Sequence, residues 1–83
     1  MLVERKLLLS EVKSGASAML IGMEGGHDFL SRLAALGFTP GAQLRVVQNL
    51  GRGPMIVLVR DARIALGRGE AAKIHVSLAG KES

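Results

Sequence analysis

The chain has no cysteine, tryptophan or tyrosine, and only two phenylalanines and two prolines among 83 residues. Without cysteine there is neither a disulfide framework nor a thiolate metal site, which fits a reducing cytosol. Without Trp or Tyr there is no ring-lined groove for proline-rich ligands and no stacking platform for single-stranded bases. No apolar run approaches the ~20 residues that cross a bilayer. Leu7-Leu8-Leu9 is too short for the apolar part of a signal peptide, and Glu4 breaks the charge run ahead of it. Catalytic groups are equally scarce: the serines sit at ends and turns, and His27 and His75 lie far apart in sequence. A non-enzymatic, cytoplasmic protein is expected, reaching a membrane only through a partner.

What is present describes one small folded domain. Hydrophobic residues make up 48% and charged residues 22%, too apolar a balance for disorder. A chain of this length buries only about 60–65% of its unfolded surface, so its single core is modest. Residues 1–83 form one unit, with the folded core over about 8–79 and a flexible polar tail over 80–83. Eleven Lys and Arg against seven Asp and Glu give a net charge of +4. Apart from Arg5-Lys6 the basic residues are scattered singly, which reads as a solvated surface rather than a nucleic-acid footprint.

Phe29, Leu30, Leu33 and Leu36 fall at i, i+1, i+4 and i+7, the stripe of an amphipathic helix over His27–Leu36. Gly37 stands at the left-handed C′ position, which places Leu33 at C3 and Phe38 at C″, the apolar pair of a Schellman ending. Thr39-Pro40-Gly41-Ala42 suits a type II turn, with Pro40 presetting φ and Gly41 accepting a positive one.

Before that helix, Met1–Leu9 starts as a loose end and firms up near the leucines, and Ser10 is placed to cap a single turn. Ala16–Met23 reads as a strand apolar on both faces, with Met19, Ile21 and Met23 on one side and Ala18, Leu20 and Gly22 on the other. Asp28 is placed to cap the helix or to favour its dipole. After it, Leu44 and Val46 alternate with Gln43 and Arg45 in a half-buried strand. A punctuated loop over 49–54 leads to Met55–Arg60, apolar on both faces, then to a hairpin turn at Asp61-Ala62 and a return strand over Arg63–Leu66. One helical turn around Gly67–Ala72 precedes a last strand in which Ile74, Val76 and Leu78 alternate with outward His75 and Ser77. Five short strands and one helix describe a mainly β fold, a small partly closed barrel with an inserted helix.

Glu24, His27 and Asp28 lie close enough in sequence to suggest a weak or adventitious Fe²⁺ or Zn²⁺ site, with His75 a fourth ligand only if the fold brings it near. The cluster straddles a glycine loop, so no resident metal is expected. Gly51-x-Gly53 and Gly67-x-Gly69 are too short for a dinucleotide fingerprint, and no cofactor is expected.

The string Leu33-x-x-Leu36-Gly37-Phe38-x-Pro40-Gly41 resembles the signature of the FeoA family, small cytosolic proteins of bacterial ferrous iron transport. Gly53-Pro54-Met55-Ile56-Val57 and the run from Ile64 to Val76 resemble that family's later blocks. The resemblance implies an SH3-like β-barrel with an inserted α-helix. It also implies an accessory role, contacting the cytoplasmic GTP-binding region of the FeoB transporter. Residues not needed for folding are then the expected contacts: Arg45, Leu50, Arg52, Met55, Arg63 and Arg68. Two other roles fit such a domain, a module of a metal-dependent transcriptional regulator and a weak iron sensor. An exposed barrel edge would also allow self-association.

Overall fold

The computed structural model describes residues 2–81. Its elements are β1 (Leu2–Leu8), a 3-10 turn (Leu9–Glu11), β2 (Ser17–Met23), α1 (His27–Ala35), β3 (Gln43–Gln48), β4 (Met55–Val59), β5 (Ala62–Leu66), α2 (Arg68–Ala71) and β6 (Ile74–Lys81). All six strands join one antiparallel sheet in the order β1-β6-β2-β3-β4-β5. Among the described residues no ladder joins β1 to β5, so the barrel is open and has two edges.

The mainly β architecture with a helix inserted between β2 and β3 is the expected one, with one strand more than expected. Residues 2–8 are not a loose end: they pair with β6 from Leu2↔Lys81 to Leu8↔His75. Charged Glu4, Arg5 and Lys6 obscure the strand pattern there, as is usual for an edge. The same ladder carries β6 through Gly80 and Lys81, where a tail was expected; Glu82 and Ser83 lie outside the described residues.

The core is lined by alternate residues of the strands: Ala18 and Leu20 of β2, Leu44 and Val46 of β3, Met55, Val57 and Val59 of β4, and Ile74 and Val76 of β6. Leu66 at the end of β5 adds to it, and Leu9, Val12, Leu33, Phe38 and Ala71 close it from the connections and helices. β2 is not buried on both faces, because Met19 and Ile21 remain 39% and 40% exposed on the outer side of the open sheet. Ser77 is buried although it alternates with the core residues. It lies on the central strand β6, with Lys6 and Met19 as its cross-strand neighbours.

The end of α1 is a Schellman motif. Phe38 N–H donates to the Leu33 carbonyl and Gly37 N–H to that of Ala34, each at 3.0 Å, with Gly37 at φ +108°. Phe38 is thereby driven into the core against Leu33, both fully buried. Leu36 occupies the C-cap and stays 39% exposed, so the buried part of the helix stripe ends at Leu33. The following turn closes through Ala42 N–H to Thr39 at 2.9 Å, with Gly41 at φ +90°. It is stitched to β2 by Gly41 N–H to Leu20 and Leu20 N–H to Ala42. At the other end of α1, Gly26 is the N-cap without a side-chain bond, and Asp28 acts in the first turn through the dipole alone.

Two further turns depart from expectation. The β4–β5 hairpin turns at Arg60-Asp61, one residue early, with both at positive φ, +49° and +65°. A two-residue hairpin loop needs left-handed conformations to match strand twist, and here non-glycine residues adopt them. Ser10 caps nothing. The turn over Leu9–Glu11 is closed by the Glu11 carboxylate, which accepts Leu8 N–H at 2.8 Å.

A Cβ at Gly37 would meet Arg60 Cδ at 2.9 Å, whereas one at Gly41 meets nothing within 4 Å. Gly41→Ala is expected to cost about 1–2 kcal/mol from backbone conformation alone. Gly37→Ala should cost more, and the gap should shrink when Arg60 is also Ala. Urea midpoints of the single and double variants measure this.

Candidate functional site

Residues left over from folding are the ones to examine, and several expected to be free are not. Asn49 follows β3 and reaches across the barrel end. Its Nδ2 donates to the carbonyls of Val12 at 2.7 Å and Ser10 at 3.1 Å, and its N–H donates to Ser14 Oγ at 2.7 Å. Asn49 Oδ1 accepts Gly51 N–H at 3.0 Å and Arg68 Nη1 at 2.9 Å, while Arg68 Nη2 donates to the Ser10 carbonyl at 2.9 Å. Arg68 is therefore a brace between three connections, not a spare contact residue. Its planar fork suits the task, since one side chain serves two acceptors at once. Asn49 escaped notice in the sequence, where the Asn-Leu-Gly run signalled only a loop.

Met55 is fully buried in the core, which removes it from any contact surface. Arg45, Arg52 and Arg63 are exposed, and Leu50 is 70% exposed at the tip of the 49–54 loop. Across the sheet Arg45 lies opposite Leu58, and Leu58 opposite Arg63, so the two arginines share the outer face. Among the described residues neither forms an ion pair.

Around α1 the charges are paired. Arg32 bridges to Glu70 of α2, and Arg32 and Lys73 stand 5.9 and 5.4 Å from the Phe29 ring centroid. The Glu70 carboxylate also accepts Gly67 N–H at 3.0 Å. That backbone bond first, and Arg32 second, hold its pKa below the ordinary 4.5.

The fold brings Glu24 to His75, whose Nε2 faces the carboxylate; a hydrogen bond there requires Nε2 to carry the proton. His27 is elsewhere engaged, its Nδ1 lying 3.3 Å from Ser31 Oγ. Among the described residues no three His, Asp or Glu side chains gather in a metal-ligand group. The expected cluster of Glu24, His27 and Asp28 is thus divided, one member turned to β6 and two held on the first turn of α1. A shallow groove of 320 Å³ beside His75, lined by Lys6, Leu8, Glu11 and Ile21, is largely apolar and holds no paired carboxylates or nucleophile. No described helix is long and apolar enough to cross a membrane.

Such a structure, one open antiparallel sheet with an inserted helix, defines an SH3-like domain. The FeoA domain model matches residues 7–78, and the chain belongs to that family. It is 34% identical over 68 residues to a putative Fe(2+) transport protein A of Methanocaldococcus jannaschii, covering 82% of each chain. It is 37% identical over 71 residues to a protein of Porphyromonas gingivalis, the Fe(2+) transport protein A/Fe(2+) transporter FeoB fusion, covering 84% of this chain and 8% of that one. It superposes with TM-score 0.76 and 32% identity on zinc-complexed FeoA of Stenotrophomonas maltophilia, described as an SH3 domain protein, covering 84% and 88% of the two chains.

Replacing Asn49 by Ala takes the donor from the Val12 carbonyl and the Oδ1 acceptor from Arg68, and should cost about 1–3 kcal/mol, read as a lower urea midpoint. Arg68→Lys should lose part of the same stability, because a single ammonium cannot reproduce the fork. Glu70 adds a pH dependence. Because its folded-state pKa lies below 4.5, its stabilisation is complete above about that pH and is lost as pH falls through the lowered value. Glu70→Gln should flatten the stability profile in that window, measured by urea titrations at successive pH values.

Proposed function

We propose that this chain is a non-catalytic accessory protein of ferrous iron uptake, without a resident metal, that acts in the cytoplasm. Its partner is the cytoplasmic GTP-binding region of a FeoB-type transporter, and it alters that protein's activity by contact. The observation that carries the reading is the P. gingivalis fusion, in which a FeoA part continues into FeoB in one chain. A covalent link keeps two modules at high effective concentration, which serves partners that must meet repeatedly. The sparse catalytic inventory supports the same reading, since among the described residues the His75–Glu24 pair belongs to no group of three His, Asp or Glu side chains. A DNA-reading role finds less support: α2 has only four residues, so α1 and α2 do not make a recognition-helix pair.

Adding the chain to full-length transporter in detergent or lipid discs should give saturable binding by calorimetry and a change in GTP turnover. The absence of both would overturn the reading.

A further inference from the structure

β5 is an open edge of the sheet. Its ladder with β4 runs from Met55↔Leu66 to Val59↔Ala62 and closes through the two-residue turn Arg60-Asp61. In a two-residue hairpin the pair next to the turn exchanges both hydrogen bonds, and bonded and non-bonded pairs alternate from there. Val59–Ala62, Val57–Ile64 and Met55–Leu66 are then the bonded pairs. The backbone N–H and C=O of Arg63 and Ala65 point away from β4, and among the described residues no other backbone segment bonds to them. Helix α1 stands alongside and leaves a groove of 180 Å³ whose walls include Leu36, Ile64, Ala65 and the Arg32–Glu70 pair.

The charges nearby select what would fit. Arg63 and Arg45 lie two strands apart on the outer face, about 10 Å, with Leu58 between them. Neither arginine has a carboxylate within 4.0 Å among the described residues. A strand added beyond β5 would run about 5 Å from Arg63, with alternate side chains on the two faces.

We propose that the open edge of β5 accepts an extended segment of a protein partner as a seventh strand, acidic on the face of Arg63 and apolar on the side of Leu36 and Ile64. The inference rests on the reading that the chain acts by contact with another protein. Backbone pairing supplies the attachment, and the alternating pockets supply selectivity. A second copy of this chain fits less well, since it brings one +4 molecule to another and a further Arg63 to the same face. Nucleic acid fits less well too, because the side chains of Leu36, Ile64 and Ala65 offer a base no ring to stack on.

The test uses the full chain, ¹⁵N-labelled, and a capped synthetic peptide alternating glutamate and valine, so that its outcome does not depend on the transporter. Binding with Kd below about 1 mM, with amide shifts and slowed exchange at Arg63 and Ala65, is expected. Arg63→Glu should weaken it about tenfold or more, and a lysine–valine peptide should recover binding to that variant. A peptide N-methylated at every residue, which has no backbone donor on either edge, should not bind. No binding, shifts centred elsewhere, equal binding of the N-methylated peptide, tighter binding of oligouridylate at the same residues, or self-association through β5 would each overturn the proposal. Peptide binding without transporter binding would instead refute the FeoB reading and leave the edge assignment standing.

Discussion

The bond from Phe38 N–H to the Leu33 carbonyl, with Gly37 folded under it at positive φ, is the constraint on which the molecule's layout depends. It stops α1 at a defined residue and turns the chain so that Phe38 enters the core beside Leu33. Burying a phenylalanine side chain contributes about 1.5–3 kcal/mol, a large share of what a small domain has in hand. The Thr39–Ala42 turn then joins β2 by two backbone bonds and aims β3 antiparallel to it. Helix position and sheet register are consequences of the same few residues.

A second tie holds the opposite end of the barrel. Asn49 and Arg68 gather the 10–14, 49–53 and 67–68 connections around shared carbonyls. Glycine-rich stretches that look mobile in isolation are thereby anchored at their first residues. An arginine engaged in this way is part of the scaffold, and the distinction matters for a basic protein. Arg68 and Arg32 are committed to partners within the chain, whereas Arg45 and Arg63 face outward with no ion-pair partner among the described residues. Net charge alone does not separate the two kinds.

Among the described residues no three His, Asp or Glu side chains gather into a metal-ligand group, and the open sheet leaves its edges and outer face exposed. An open barrel differs from a closed one in this respect, because it keeps strand edges with donors and acceptors to offer. Family membership and the fused relative give that exterior its context in ferrous iron transport. The residues that make the family recognisable are chiefly those that bend and pack the chain. The exposed arginines and Leu50 stand apart from that framework.

Sequence alone determined the parts governed by neighbouring residues: the α1 ending at Gly37, the Pro40-Gly41 turn, and the alternation of β3. There, φ preferences and apolar spacing act within a few positions, so the information is local. Tertiary structure decided the rest. The 2–8 segment is a strand because β6, at the other end of the chain, lies beside it. Met19 and Ile21 remain in solvent because the sheet does not close, and Ser77 is buried because its strand is central. Glu24 meets His75 across 51 positions, and Arg68 meets Ser10 across 58. Such encounters are set by strand order and register, which arise from the competition of the whole chain for one core and are written in no single stretch of it.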